Sequence, residues 1–127
     1  IIAMLDEYIK TAKGIINMTY SADAVNRVFS EEEKIKARNR RIDKGIQTKV
    51  IYTYKNGILE NTSHSSRRKV PLEKFPIKSD IAVYDNKVRI ASLGDRLVGI
   101  IIEDKEIANS IRAILDLAWE GAEKYQQ

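Results

Sequence analysis

The sequence contains no cysteine and only one histidine, His64, among its 127 residues. Without cysteine the chain can form no disulfide, offers no thiolate to a metal ion and has no thiol nucleophile. Its longest uninterrupted apolar run, Val98 to Ile102, is far shorter than the roughly 20 residues that a membrane-spanning helix requires. A hydrophobic content of 43% is nonetheless sufficient for one core. We therefore expect residues 1–127 to form a single cytoplasmic domain.

The positive charge of the chain is concentrated in two clusters within a formal net charge of +4. The clustering allows a phosphate-facing surface, but it also suits a solvated helix exterior whose first turn carries Glu31 to Glu33. No aromatic residue interleaves with the first cluster, so stacking on single-stranded bases is poorly supported. The first cluster comprises Lys34, Lys36, Arg38, Arg40, Arg41 and Lys44, and the second comprises Arg67, Arg68 and Lys69.

The first half of the chain alternates between helical and extended patterns. Apolar residues at helical spacing predict a helix over residues 2–12, which Gly14 follows in the position typical of a helix end. Residues 15–20 and 49–54 are rich in β-branched and aromatic side chains and predict strands. Between them, Ser21 is expected to cap a short helix to Phe29. Ser30 and Glu33 match a capping box that opens a helix to about Lys44, before Gly45.

The second half predicts a loop, three strands and a last helix. Turn-forming residues dominate 55–69, and the two prolines favour an extended segment over 70–76. Strands are expected at 81–84, 87–91 and 97–102, with Asp85 and Asn86 in the first turn between them. The last of these strands shows no alternation, which predicts a central strand buried on both faces. Asp104 is expected to cap the final helix. The whole order predicts an α/β domain whose mixed sheet is covered by helices.

Several runs together resemble the carboxy-terminal effector domain of TrmB-type transcriptional regulators. They are Asp6-Glu-Tyr-Ile-Lys-Thr-Ala-Lys, Arg40-Arg-Ile-Asp-Lys-Gly-Ile-Gln-Thr-Lys-Val, Phe75-Pro with the hairpin after it, and Gly99-Ile-Ile-Ile-Glu-Asp-Lys-Glu-Ile-Ala-Asn leading to Ile114-Leu-Asp-Leu-Ala-Trp. The resemblance implies a phospholipase-D-like half-domain that senses an effector and forms a homodimer. It also implies that DNA is bound by an N-terminal winged helix-turn-helix absent from this chain, which would then be a fragment. Effectors known in the family are sugars, so the expected ligand is a small polar metabolite.

The resemblance also implies that the domain is not an enzyme. The phospholipase-D pattern, His-x-Lys-x-x-x-x-Asp, aligns with this chain so that Asp85 takes the last position, while Lys78 and Asp80 replace the His and the Lys. His64 lacks the required spacing, since Ser66 stands where the motif has Lys, and we expect it to be a solvated loop residue. Regular strand alternation would place Asp80 and Asp85 on opposite faces of the sheet, which disfavours general acid–base catalysis by the two carboxylates together. We predict no catalytic residues, no metal ligands and no cofactor.

The candidate ligand-binding residues are Tyr20, Ser21, Tyr54, Lys78 and Asp80. Tyr20, Ser21 and Tyr54 stand at the carboxyl ends of predicted strands, where open α/β sheets form ligand crevices. Lys78 and Asp80 occupy the positions of the missing catalytic pair. Arg38 and Arg41 are expected on the surface. Trp119 is expected to pack in a core or in an interface.

Two other functional classes stay open at this point. One is a stand-alone nucleic-acid-binding module that uses the two basic clusters and has no effector. The other is a diverged hydrolase with an unfamiliar site. Neither is excluded by composition or by spacing.

Overall fold

A computed structural model describes residues 2–5 and 7–127; Ile1 and Asp6, the first residue of one run quoted above, lie outside it. The helices are α1 (Ile2–Leu5), α2 (Tyr8–Thr11), α3 (Ala22–Val28), α4 (Glu31–Asp43) and α5 (Lys105–Ala122), with a 3-10 turn at Glu123–Tyr125. The strands are β1 (Ile15–Ser21), β2 (Gln47–Thr53), β3 (Ser65–Lys69), β4 (Ser79–Tyr84), β5 (Lys87–Leu93) and β6 (Leu97–Glu103).

All six strands form one mixed sheet in the order β3-β2-β1-β4-β5-β6. Strands β1, β2 and β3 run parallel, and β4 joins them antiparallel to β1. Strands β4, β5 and β6 then continue as an antiparallel meander. The predicted α/β class with a mixed sheet and covering helices is therefore confirmed. Among the described residues, no helix is both long and apolar enough to cross a membrane.

The two faces of the sheet carry separate cores, as the two-residue period of the strands requires. On one face, here called the α4 face, Ile16 and Met18 of β1 pack with Tyr8 and Ile9 of α2. On the other, the α5 face, strand residues pack against the long final helix. This second set includes Val83, Val88, Ala108 and Leu115.

The predicted helix boundaries are confirmed where side chains define them. Ser21 Oγ accepts a hydrogen bond from Ala24 N at 3.1 Å and so caps α3. Ser30 and Glu33 form the reciprocal capping box at the start of α4, with bonds of 2.9 and 3.1 Å. Gly45 ends α4 with a φ of +72°, a conformation that costs glycine little because it has no Cβ. Local side-chain chemistry thus determines where these helices begin and end.

The prediction that residues 98–102 form a buried central strand is wrong. β6 lies at the edge of the sheet and pairs only with β5. Val98 and Ile100 are 46% and 51% exposed. An apolar run indicates that both faces can be buried, but it carries no information about the position of the strand in the sheet.

Two predictions between β2 and β4 also need correction. The supposed loop over 55–69 contains β3, which pairs parallel with β2 from Thr48 opposite Ser65 onward. Its side chains are polar and basic, so the strand is held by backbone pairing and gives no apolar signal. The segment after it is not extended throughout, because Phe75 N donates to Pro71 O at 2.9 Å and closes a turn.

Candidate ligand-binding cavity

Helix α4 is unusual because none of its 13 residues is buried. Its apolar residues Ile35 and Ile42 are 39% and 36% exposed. A helix that is polar on all sides and gains little from packing depends on its caps and on specific polar contacts. Two such contacts fasten α4: Lys34 Nζ donates to Asn26 Oδ1 at 2.6 Å, and an Arg41 guanidinium nitrogen donates to Tyr8 Oη at 3.2 Å.

A cavity of about 590 Å³ lies between α4 and the sheet. Its volume falls within the roughly 300–1,000 Å³ typical of small-molecule sites. The sheet contributes Met18, Tyr20, Thr48, Val50, Ser65, Arg67, Asp80 and Arg89. The helices contribute Leu5, Tyr8, Ala22, Val25, Asn26, Glu31, Glu33, Lys34, Lys36, Ala37, Arg38, Arg40 and Arg41. Phe29, which follows α3, also lines the cavity, and the segment after β2 contributes Ile58, Leu59, Glu60 and Thr62.

The charged side chains that line the cavity are mostly positive. Seven are basic and four are acidic, which leaves a net charge of +3 around the space. Some of these charges are already engaged: Glu31 pairs with Lys34 at 2.9 Å and Asp80 with Arg89, while Lys36 pairs with Glu32 at 3.3 Å and Glu33 belongs to the capping box. Arg38, by contrast, makes no side-chain hydrogen bond or ion pair with any described residue. The cavity therefore offers positive charge to an occupant.

A buried ion pair, Asp80 with Arg89, forms part of the cavity floor. Arg89 is 1% exposed and donates to the Asp80 carboxylate and to the carbonyl oxygen of Leu5. Burial raises the pKa of Asp80, and the adjacent Arg89 guanidinium partly offsets that effect. Removal of either group would leave the other as an isolated buried charge, which is energetically costly.

Two buried guanidinium nitrogens at this cavity lack a partner in the described residues. They are Nε of Arg67 and Nε of Arg89, both shielded from solvent. Arg67 uses another nitrogen to donate to the carbonyl oxygen of Glu60. A buried donor without an acceptor costs about 1–3 kcal/mol. Since both nitrogens are shielded from solvent, an occupant of the cavity would accept from them only after the surrounding side chains move.

Tyr20 is half-buried and lies among these charges. Burial raises the pKa of its hydroxyl, and the nearby Arg67 and Arg41 act in the opposite direction. The hydroxyl consequently stays protonated at neutral pH and can both donate and accept a hydrogen bond.

The structure brings together only part of the residue set predicted from sequence. Tyr20 and Asp80 line the cavity, whereas Ser21, Tyr54 and Lys78 do not. Ser21 is the buried cap of α3. The Tyr54 ring covers Gly57 so closely that a Cβ there would approach within 2.5 Å, and Lys78 is exposed in the segment before β4.

The remaining singled-out residues have structural surroundings. Trp119 packs in the core around Ile51 and Val70, as expected for an anchor, and the Arg68 guanidinium stacks 4.3 Å from its ring centroid. Asp85 is exposed in the β4–β5 turn with a φ of +53°. His64 is half-buried just before β3, and in residues 2–5 and 7–127 no three His, Asp or Glu side chains form a metal-binding group.

Sequence reasoning missed Arg67 and Arg89 as cavity residues. Arg38 is exposed, as expected, and Arg41 is half-buried, and both also line the cavity. A signal for Arg89 was present, because a charged residue at an inward position of a predicted strand requires a buried partner. Asp80 lies on the adjacent strand, where its neighbour across the ladder is Ala91, two residues beyond Arg89. No comparable signal existed for Arg67, whose segment was predicted to be a loop.

No protein-family model matches this chain, and no curated protein sequence matches it.

Proposed function

We propose that this chain is a non-catalytic, phospholipase-D-like sensor and dimerisation domain of a transcriptional regulator, with a small polar effector bound in the cavity beneath α4. The observation that carries the proposal is the cavity itself. It separates a capped helix without buried residues from a well-packed sheet. An occupant there would contact α4 and the sheet together, so binding would stabilise the position of α4.

The charge of the cavity favours an effector that is anionic as well as hydroxylated. Arg38, which is exposed in the lining, and the half-buried Arg67 beside it in the same cavity would bind phosphate or carboxylate oxygens. Tyr20, Thr48 and Ser65 supply hydroxyl groups suited to a polyol. A sugar phosphate or a sugar acid meets both requirements, whereas a neutral sugar would leave Arg38 without a charged acceptor.

The non-catalytic assignment is supported by the chemistry of the lining. Phosphodiester transfer in the resembled enzymes needs an imidazole nucleophile. His64 does not line the cavity, and Asp80, the acidic group on its floor, is engaged by Arg89. The lining thus contains groups that bind an anion and no evident nucleophile beside a base.

The nucleic-acid-binding alternative receives less support because the second basic cluster is occupied. Arg68 donates to the carbonyl oxygen of Trp119 at 2.6 Å and pairs with Glu123 at 2.7 Å. Lys69 Nζ donates to the Gly57 carbonyl oxygen at 2.6 Å. Groups held in this way would have to break internal contacts before they could bind phosphates of a duplex.

The experiment is a thermal-shift screen of inorganic phosphate, sugar phosphates, sugar acids, nucleotides and the matching neutral sugars, followed by calorimetry on hits. We expect an anionic hit to bind at least tenfold more weakly to Arg67→Gln and to Arg38→Gln, since a charge-assisted hydrogen bond contributes about 1.5–3 kcal/mol. Lys78→Ala, a cation outside the cavity lining, is the control and should bind normally.

Three results would count against the proposal. If Lys78→Ala abolishes binding while Arg67→Gln does not, the ligand occupies a different crevice. If no polar metabolite stabilises the domain but duplex DNA binds with sequence preference, the nucleic-acid module is the better assignment. Turnover of a phosphodiester substrate that disappears in Asp80→Asn would contradict the non-catalytic assignment.

A further inference from the structure

The two edge strands of the sheet differ in how their unpaired backbone groups are covered. At the β3 edge, side chains cover the backbone: Gln126 bonds both to Lys69 N and to Lys69 O, and Asn61 accepts from Arg67 N. That edge also carries three consecutive basic residues, which discourage strand addition. The fold therefore protects one edge against pairing with another chain.

The β6 edge has no such protection. Within the described residues, no side chain bonds to the backbone of β6, and residues 97–102 include neither proline nor charge. Four large apolar side chains remain exposed along it, Leu97, Val98, Ile100 and Ile101, at 39–51%. An exposed, apolar, seven-residue edge strand is a template for pairing.

Charges at the two ends of β6 point to the occupant of this edge. Asp95 and Arg96 precede the strand, and Asp104 and Lys105 follow it. If two copies pair antiparallel about Ile100, then Arg96 comes beside the partner's Asp104, directly beyond the paired strands. Asp95, in the turn before β6, comes at the same end as the partner's Lys105, the first residue of α5. Two-fold symmetry produces each opposite-charge pair twice. Asp95, Arg96 and Lys105 have no ion-pair partner among the described residues of their own chain.

Neighbouring registers lack this complementarity. A shift of one two-residue step in one direction centres the pair on Gly99 and places Asp95 opposite Glu103, a like-charge contact. The opposite shift centres it on Ile101 and places Asp104 opposite the apolar Val98. Odd shifts would send the side chains of the two strands to opposite faces. The register about Ile100 also overlaps all seven residues, Leu97–Glu103, of both strands.

We infer that two copies of this chain associate through antiparallel β6–β6 pairing about a two-fold axis at Ile100, which joins the two sheets into one of twelve strands. On the α5 face the pairing places Ile100 opposite the partner's Ile100 and Val98 opposite the partner's Ile102. This inference rests on the dimerisation part of the proposed function and is independent of the ligand. Self-complementary surfaces of this kind are typical of two-fold homodimers.

Cysteine cross-linking tests the register directly, because the chain has no cysteine of its own. In the inferred pair the two Ile100 Cα atoms are roughly 4.5–5.5 Å apart, within the range of a disulfide. Ile100→Cys should therefore form a covalent dimer under mild oxidation. Val98→Cys should not form a covalent dimer, because the two Val98 positions are offset by four residues along the paired strands and lie roughly 14 Å apart.

Charge reversal provides a second test at exposed positions outside the strand. Lys105→Glu should weaken the dimer about tenfold, because at two symmetric sites it replaces attraction to the partner's Asp95 by repulsion. Asp95→Lys combined with Lys105→Glu should restore the dimer. Leu117→Lys, on the exposed side of α5 and 70% exposed, is the control and should leave association unchanged. Sedimentation velocity gives the dissociation constants.

The outcomes separate this inference from the broader proposal. A monomer at tens of micromolar would overturn both the β6 pairing and the homodimer. A stable dimer in which Ile100→Cys fails to cross-link, or which Leu117→Lys dissociates, would overturn the β6 pairing and leave the homodimer standing. Cross-linking of Val98→Cys in place of Ile100→Cys would contradict the register.

Discussion

Removal of the Asp80 carboxylate should strongly destabilise the domain. In Asp80→Ala, the buried Arg89 guanidinium loses the one carboxylate that it contacts among the described residues, and its Nε has no acceptor among those residues either. Breaking a buried ion pair in this way costs about 3–5 kcal/mol. For a chain of this size the free energy of unfolding is roughly 6–19 kcal/mol, at about 0.05–0.15 kcal/mol per residue. The loss is therefore a large fraction of the total stability.

Urea unfolding followed by circular dichroism measures the effect. With a slope of about 1.5 kcal/mol per molar urea, we expect the midpoint to fall by roughly 2–3 M. Asp43→Ala is the matched control, since it removes an exposed carboxylate and should change stability by less than about 0.5 kcal/mol.

A double variant distinguishes loss of pairing from loss of packing. Asp80→Leu combined with Arg89→Met removes both charges and should recover to within about 2 kcal/mol of the parent, because replacement of a buried pair by apolar residues is often neutral. The remaining deficit reflects the Leu5 carbonyl oxygen, which loses its donor. Additive effects of the two single variants, or a loss below about 1 kcal/mol in Asp80→Ala, would refute this reasoning.

Three further predictions concern other contacts. The pKa of Glu7 is lowered by the hydrogen bond from Tyr84 and by Lys87, so its contribution to stability is complete above its ordinary value of 4.5 and is lost as the pH falls through the lower folded-state pKa. The destabilisation caused by Glu7→Gln, measured by urea unfolding from pH 7 to pH 2, should accordingly shrink at acidic pH; a constant difference would contradict it. Trp119→Ala should cost about 3 kcal/mol, because it removes a packed ring together with its Arg68 stacking, and Trp119→Phe should cost less. Equal losses in the two Trp119 variants by chemical unfolding would show that the ring face is unimportant. Ser30→Ala should cost about 1 kcal/mol and accelerate hydrogen exchange in α4 more than in the sheet, since α4 has no buried residue; uniform acceleration would indicate that α4 is not separately held.

Local chemistry made much of the fold predictable. The caps at Ser21, Ser30 and Asp104 act within three residues of themselves, and the Asp85 turn follows from two residues that tolerate positive φ. Such signals are complete in the sequence. For this reason the starts of α3, α4 and α5 and the β4–β5 hairpin were predicted correctly, whereas the single helix predicted over residues 2–12 is two short helices, α1 and α2.

Features that depend on distant partners were not predictable in the same way. The edge position of β6 is a property of sheet order, which its apolar composition does not encode. β3 has no apolar signal because its pairing with β2 uses the backbone. The cavity arises because α4 packs little against the sheet, so its arginines could be assigned only to a helix exterior. Tyr20 and Asp80 were found because strand ends and motif positions are readable locally.

The most direct test of the cavity as an anion-binding site is a nitrogen-15 NMR titration of arginine side chains. Each arginine Nε–H gives a separate signal, and Arg67 and Arg89 have Nε groups that lack a partner in the described residues. With a sugar phosphate or sugar acid that stabilises the domain, we predict saturable shifts of the Arg67 and Arg89 signals, while Arg112, bonded to the Asp85 carbonyl oxygen away from the cavity, stays unchanged. Binding that shifts Arg112 or other surface arginines but leaves Arg67 and Arg89 unmoved would contradict the account.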